Sequence, residues 1–205
     1  MMRTMTHTTS SPSTVANSTA ANSTATRTGA AWIAGGAAWL VAGLLHADNG
    51  WRLDTAALLW FGADLLIAAG IVGLLILRPH GQSGIGTAAL VVALAARVAF
   101  AVGEIVYIIE GNDEGPLIPL GALLTAVAMT AYGIVVLRRH RTGGPHRWAF
   151  LLMGIYPFIA MFPVLAITGE PSSVLIAGWG LPAAFIGFAT LSWRMQTQPV
   201  RIVRA

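Results

Sequence analysis

The chain contains no cysteine and no lysine, and it has few charges of either sign. Without cysteine there can be no disulfide, no thiolate metal site and no cysteine nucleophile. Only 10% of the 205 residues are charged and 56% are hydrophobic, whereas a soluble domain carries roughly 25% charged residues. A soluble surface cannot be built from so few charges, so the composition indicates that the lipid bilayer is the solvent of this protein.

Recognisable catalytic motifs are also missing. The sequence has no HExxH, no GxSxG and no P-loop, and the glycines of GQSGIG at 81–86 do not match a dinucleotide fingerprint. His46 is the only histidine in or beside an apolar segment, so the paired axial histidines of a membrane b-type cytochrome cannot form. A metal site from His46, Asp48 and Glu104 would lack any ligand-spacing pattern. We therefore predict no cofactor and no metal, and the lack of a nucleophile beside a base disfavours a membrane-embedded enzyme.

Six apolar segments dominate the chain. They cover about 30–47, 54–77, 85–109, 117–137, 148–168 and 173–193, each near the ~20 residues needed to cross the hydrocarbon core. Backbone hydrogen bonds inside a bilayer must be satisfied within each segment, so all six are predicted to be helices.

Polar tails flank these segments. Residues 1–28 are mostly Ser, Thr, Ala and Asn, with too little apolar surface to offset the entropy of ordering, and are predicted to be a disordered cytoplasmic tail. Residues 195–205 are predicted to be a short basic cytoplasmic tail. The sequence thus predicts an all-α protein, a polytopic transmembrane bundle of six helices over residues 29–194.

The arginines predict the orientation of this bundle. Only Arg52 lies in a connection on one side of the predicted membrane, and Arg97 lies within a span. The other ten arginines fall on the opposite side: Arg3, Arg27, Arg78, Arg138, Arg139, Arg141, Arg147, Arg194, Arg201 and Arg204. Six acids fall on the side of Arg52: Asp48, Asp54, Glu110, Asp113, Glu114 and Glu170. By the positive-inside rule both termini are cytoplasmic, and we expect a multi-pass protein of the bacterial plasma membrane.

The same distribution constrains the partners. Because the arginines flank apolar segments instead of clustering on a polar face, nucleic acid is not an expected partner. The basic loop RRHRTGGPHR at 138–147 is expected to set the topology and to meet anionic lipid headgroups at the cytoplasmic rim. Every loop is too short to fold into a domain, so function is expected inside the bundle or through partners such as a second copy of the chain or a larger membrane complex.

Three ionisable residues lie inside predicted spans. At 1.5 Å per residue, Glu104 lies roughly 7 Å below the outer end of its span, Asp64 about 14 Å and Arg97 about 18 Å. Asp64 is closest in depth to Arg97, and the tight connection at 78–84 makes their helices antiparallel neighbours. The sequence therefore predicts that Asp64 pairs with Arg97, with Glu104 above them on the face it shares with Arg97.

Two interpretations of this group are open. An unpaired charge at such depth costs at least ~2.5–3.5 kcal/mol, so all three residues should face protein and not lipid. The first interpretation is a structural salt bridge that fixes the packing of the second and third helices. The second is a polar cavity that opens outward between helices 1, 2 and 3, with His46 at its mouth. There Arg97 would attract an anionic group, and Glu104, which has no cation of its own, would be the better candidate to carry a proton.

Prolines and aromatic residues complete the pattern. Tyr156-Pro157, Phe162-Pro163 and GWGLP at 178–182 are predicted to kink the fifth and sixth helices and to free backbone carbonyls. Such breaks line substrate sites in transporters, but proline and glycine are also common in membrane helices. The tryptophans near predicted interfaces are typical of aromatic belts, and they are Trp32, Trp51, Trp148 and Trp193.

Several stretches together resemble a known group of proteins. They are LLHADNGWRLDTAALLWFGADLLIAAGIVGLLIL, ALVVALAARVAFAVGEIVYII and the helix opening GPHRWAFLLMGIYPF. The pattern, from about Ala30 to Arg194, is similar to small uncharacterised six-span membrane proteins of actinobacterial genomes. The resemblance implies six helices and a plasma-membrane location. It implies no activity and no site residues.

Overall fold

The computed structural model describes residues 12–47, 53–79, 81–110, 115–139, 147–169 and 172–197. Within these ranges the chain forms eight α-helices and one π-helical turn, with no strand. The helices are α1 (Pro12–Ala47), α2 (Leu53–Leu77), α3 (Gly84–Glu110), α4 (Leu117–Arg139), α5 (Trp148–Tyr156), α6 (Phe162–Thr168), α7 (Ser173–Gly178) and α8 (Gly180–Thr197), with the π-helical turn at Pro157–Met161.

Six helical segments are long and apolar enough to cross a membrane, as the sequence predicted. They are Ala21–His46, Thr55–Leu77, Gly84–Glu110, Leu117–Arg138, Trp148–Thr168 and Ser173–Ser192. The fifth passes through α5, the π-helical turn and α6, and the sixth through α7 and α8. Large apolar side chains are exposed on the outside of the bundle, among them Leu58, Ile76, Ile85, Val91, Val127 and Ile159. An apolar exterior of this extent suits lipid better than water.

The start of the first helix differs from the prediction. α1 begins at Pro12, so residues 12–28 are helical where the sequence predicted a disordered tail. The apolar part of α1 already supplies the helical nucleus, and extending an existing helix is much easier than starting one. Within this extension Thr26 and Thr28 bond their hydroxyls to the carbonyls four residues earlier. Residues 1–11 and 198–205 lie outside the described residues, as do Asp48, Trp51, Arg52 and most of the loop 138–147.

The helices form a closed ring. Each of the first three helices packs against the next along the chain. α4 packs against α5, α5 packs against α8, and α7 and α8 pack against α1. A tight connection joins α2 to α3: Arg78 and Gly81 both have positive φ, at 48° and 67°, and Gly81 N–H donates to the Arg78 carbonyl at 2.8 Å. Helices α2 and α3 are therefore antiparallel neighbours, which is the arrangement that pairing of Asp64 with Arg97 requires.

One face of α1 carries glycines at intervals of seven residues, and this face packs on α7 and α8. Gly29 lies against Gly187, Gly36 against Gly180, and Gly43 against Ala177 on α7. A Cβ atom placed on Gly36 would lie 2.5 Å from the Gly180 carbonyl oxygen. Since no real Cβ approaches a backbone that closely, glycine is required here for the two helices to pack.

A second face of α1 carries aromatic side chains at the same seven-residue interval, and this face points toward the centre of the bundle. Its residues are Trp32, Trp39 and His46. Trp32 and Trp39 are buried in the central apolar cluster. The expectation that Trp32 belongs to an interfacial belt is wrong, because its indole packs against Gly70 of α2. Trp148 is 47% exposed, as an interfacial tryptophan would be.

Pro157 breaks the fifth span because it cannot donate a backbone hydrogen bond. An indole N–H from the sixth span donates to the carbonyl that is left without a partner. Proline has no N–H to donate to the carbonyl four residues earlier, which belongs to Met153. Trp179 Nε1–H donates to that carbonyl instead, at 2.9 Å. The chain then passes through a π-helical turn, in which Phe162 N–H donates to the Pro157 carbonyl.

The sixth span is broken at Trp179, between α7 and α8. Two carbonyls of α7 next to this break accept hydrogen bonds from aromatic side chains. Trp39 Nε1–H donates to Ile176 at 2.7 Å, and the Tyr156 hydroxyl donates to Leu175 at 2.9 Å. The expected kinks are thus joined to each other and to α1 by three side-chain hydrogen bonds, so that Trp39 and Trp179 are held in fixed positions at the centre.

Candidate functional site

Asp64 and Arg97 form the predicted pair. Arg97 Nη1 donates to Asp64 Oδ1 at 2.6 Å, and both side chains have 0% of their surface exposed. Asp64 comes from α2 and Arg97 from α3. The pair is therefore a fully desolvated, charge-assisted hydrogen bond between two neighbouring helices.

Aromatic rings from three elements surround the guanidinium of Arg97. Its Cζ atom lies 4.2 Å from the centroid of the Trp179 ring, 5.1 Å from Trp39 and 5.8 Å from Phe100. Trp39 also packs edge-to-face with Phe100 at 5.4 Å and with Trp179 at 5.6 Å. Rings within about 6 Å stabilise a cation through their negative faces, and the effect is largest where water is excluded. The side chain of Arg97 thus reaches from α3 to α1 and to the α7–α8 break.

Three polar atoms of the pair have no hydrogen-bond partner among the residues that the structure describes. These are Asp64 Oδ2, Arg97 Nε and Arg97 Nη2, and all three are buried. Buried polar groups in proteins are nearly always paired, because an unpaired one loses its hydration without compensation. Two donors and one acceptor therefore remain available in the middle of the bundle.

Glu104 lies on α3 two turns C-terminal to Arg97. Its side chain is buried, with 5% exposed, and it is within Coulombic range of Asp64. Neighbouring Gly103 packs closely on Ile118 of α4. Among the described residues Glu104 makes no hydrogen bond and no ion pair. It is the one acid of the buried group without a cationic partner there.

His46 is connected to the pair by a series of aromatic rings. Its ring lies 5.3 Å from Trp60 of α2, and Trp60 lies 6.3 Å from Trp39, which in turn contacts Arg97. Trp60 Nε1 is buried and has no hydrogen-bond partner within the described ranges. Aromatic rings therefore connect the C-terminal end of α1 to Arg97, and His46 stands at the far end of this series.

No group of three or more metal-ligating side chains is found in the part of the chain that the structure describes. Asp48, which the sequence placed beside His46, is outside that part. The structure brings Asp64 and Arg97 into contact, with Glu104 in electrostatic range, and it connects His46 to them only through Trp60 and Trp39.

The aromatic residues of the site were not identified from the sequence. Trp179 stood in the GWGLP motif, which was interpreted only as a kink, and Trp60 and Phe100 were ordinary apolar residues of their spans. Trp39 could be placed on the inward-packed face of His46, but its contact with Arg97 could not be predicted. One available signal was the seven-residue spacing from Trp32 to Trp39 to His46, which places all three on one helical face.

These features define an all-helical protein whose six candidate spans suggest a multi-pass membrane protein with a buried charged group at its centre. Comparison with known proteins gave no match to a family model, to a curated protein or to a solved structure. The site must therefore be interpreted from its own chemistry.

Proposed function

We propose that this protein is a small solute-binding or transport module of the bacterial plasma membrane, with both termini in the cytoplasm. Its site is the polar group of Asp64, Arg97 and Glu104, reached from the outer side past His46. The observation that carries the proposal is the set of unpaired buried atoms, Asp64 Oδ2 with Arg97 Nε and Nη2. A pair that served packing alone would be expected to have these positions filled by neighbouring side chains or backbone.

The distribution of arginines supports the orientation. The outer parts of α1, α2 and α3 then carry His46, Trp60 and Glu104. Arg27 lies toward the other end of the first candidate span, Arg78 directly follows the other end of α2, and Arg138 lies at the corresponding end of α4. A solute from outside would meet Trp60 and Glu104 before Arg97. The basic inner ends would contact anionic headgroups of the cytoplasmic leaflet.

Native mass spectrometry of the gently solubilised protein tests the binding function. Wild type is compared with Arg97→Gln, with Glu104→Gln and with Gly62→Ala, a control at an open position of α2. The expected result is a small molecule on wild type and on the control that is lost from at least one site variant. An empty wild type, with site variants that only dissociate or unfold more easily, would refute the binding function.

A structural or accessory subunit is the second candidate, favoured by one observation. Arg97 contacts Asp64 on α2, Trp39 on α1 and Trp179 at the α7–α8 break, so this one side chain links most of the ring. If that is its whole role, each variant at Arg97 or Asp64 should lower thermal stability without changing any binding. The apolar outer surface would then meet a larger membrane complex or a second copy of the chain.

A further inference from the structure

The unpaired edge of Arg97 has a defined shape. In a guanidinium, Nε–H and one N–H of Nη2 point in the same direction along one edge of the plane, and this edge fits two oxygens of one carboxylate. Asp64 accepts from Nη1, and this other edge has no partner in the part of the chain that the structure describes. The strongest anion-binding geometry of the residue is therefore buried and unused.

The surroundings of Arg97 favour an anionic group at this edge. Trp179 and Trp39 lie within 5.1 Å of the guanidinium carbon, so aromatic rings pack against the cation but supply no acceptor to its Nε and Nη2 edge. A cationic or purely apolar guest offers no oxygen to Nε and Nη2. A carboxylate offers two oxygens at the spacing of the two donors.

Charge balance then gives Glu104 a role. Arg97 and Asp64 cancel each other, so a carboxylate that enters brings an uncompensated negative charge into a buried site, where such a charge is costly. When Glu104 is ionised in the empty site, transfer of one proton from outside water to its carboxylate removes one negative charge. A carboxylate and a proton together thus leave the charge of the site unchanged.

Few other groups can take this proton. Helices α2 and α4 pack against α3. On α2 the acids are Asp64, held by Arg97, and Asp54, whose side chain lies outside the described part. The α4 stretch 117–131 has no charged or titratable residue. On α3 itself Tyr107 and Glu110 lie further outward, and His46 of α1 contacts Trp60.

Resting on the proposed function, we infer that the site binds a small carboxylate at the Nε and Nη2 edge of Arg97, together with one proton on Glu104. The proton leaves the outer solution and stays on a Glu104 carboxyl oxygen while the carboxylate is bound.

Calorimetry with matched probes tests this inference. The purified full chain in lipid nanodiscs is titrated with acetate, acetamide and acetamidine, and then with benzoate, benzamide and benzamidine. Each set keeps one shape and changes the charge. Titration in two buffers of different ionisation enthalpy measures the protons taken up. At a pH at which Glu104 is ionised in the empty site, the expected result is binding of at least one carboxylate, with about one proton taken up per molecule, and much weaker binding of its amide and amidine.

Three variants assign the roles. Arg97→Lys keeps a cation for Asp64 but has no two-donor edge, so carboxylate binding should weaken by roughly thirtyfold or more. Glu104→Gln should still bind the carboxylate but take up no proton. Gly62→Ala should match wild type in both measurements. Glu104→Gln with unchanged proton uptake would overturn the role of Glu104, and equal carboxylate binding by Arg97→Lys would overturn the role of the edge.

The outcomes distinguish a site that binds another class of solute from a protein that has no solute site. Preferential binding of an amidine or amide, lost in Asp64→Asn, would leave a solute site but refute the carboxylate. A wild type that binds none of the six probes, yet carries another small molecule in mass spectrometry, would also refute only the carboxylate. A wild type empty in both experiments would refute both, and water would then be the occupant of the Arg97 edge.

Discussion

The guanidinium carbon of Arg97 lies 4.2 Å from the centre of the Trp179 ring, while the indole N–H of that same tryptophan donates to the Met153 carbonyl. One side chain thus stacks on the central cation and also satisfies the carbonyl that Pro157 leaves unpaired. The proline of the fifth span and the charge of the third are therefore linked through Trp179. A change at either one should alter the requirement for this indole.

A double-mutant cycle between Pro157 and Trp179 can detect this link. Trp179→Phe keeps a ring but leaves the Met153 carbonyl without a donor, which should lower the unfolding free energy by about 1–3 kcal/mol. In Pro157→Ala the new backbone N–H can donate to Met153, so the same substitution should cost less there. Thermal denaturation of the four proteins in one detergent measures the coupling. An equal loss in both backgrounds would contradict the proposed replacement of the hydrogen bond.

The Asp64–Arg97 pair predicts a non-additive pattern. Asp64→Asn or Arg97→Gln alone leaves a buried charge without its partner, a change that costs about 3–5 kcal/mol in proteins. The double variant removes both charges, so its melting temperature should lie above that of either single variant. Circular dichroism on heating checks this order. Additive losses would mean that the two side chains do not depend on each other.

For a substitution at Glu104 we expect the opposite effect on the melting temperature. Its carboxylate is buried, lacks a partner among the described residues and lies in range of Asp64, so Glu104→Gln removes an unfavourable charge. The melting temperature should stay the same or rise, as is common where a functional residue is held at the expense of stability. Glu110→Gln, at the exposed outer end of α3, is the matched control and should have no effect. A clear loss of stability in Glu104→Gln alone would assign Glu104 to packing.

Two glycines that look alike in the sequence should respond differently to alanine. At Gly36 a methyl group would lie 2.5 Å from the Ala184 nitrogen and the Gly180 oxygen, whereas at Gly62 nothing lies within 4 Å. Gly36→Ala must push α1 away from α8 and should cost roughly 1–3 kcal/mol, the usual range for overpacking. Gly62→Ala should be neutral or slightly stabilising because alanine favours a helix. Thermal unfolding of the two variants side by side gives the comparison.

The architecture and one contact could be predicted from the sequence for physical reasons. Runs of apolar residues near the bilayer thickness have one structural solution, so the six helices followed directly. Asp64 and Arg97 lie at similar depth on helices joined by a tight turn, and a charge at that depth needs a partner of opposite charge. Both inferences depend only on position along a helix and on the cost of an unpaired group.

The surroundings of that contact could not be predicted, because they depend on which way each helix is rotated. Trp179 is far from Arg97 in sequence. The contact between them depends on the break in the sixth span and on the packing of α7 and α8 against α1. The hydrogen bond from Trp179 to Met153 required two irregularities, at Pro157 and at Trp179, to face each other. The start of α1 at Pro12 was missed because composition reports the average polarity of a segment and not its attachment to an existing helix.

The spacing along α1 has a consequence for how this chain can vary. Between Gly29 and His46 two faces of the helix make separate contacts. Glycines at every seventh position pack against α7 and α8, and aromatic side chains at every seventh position point toward the centre of the bundle. Inserting a single residue between Gly36 and Trp39 would turn the outer part by about 100° and separate Trp39 from Arg97 and Gly43 from Ala177 together. Substitutions can be absorbed one at a time, but a change in length cannot, because even a whole repeat of seven would shift the following part of the helix by about 10 Å along its axis. Proteins that share this site should therefore keep the distance from Gly29 to His46 constant even where the residues between them differ.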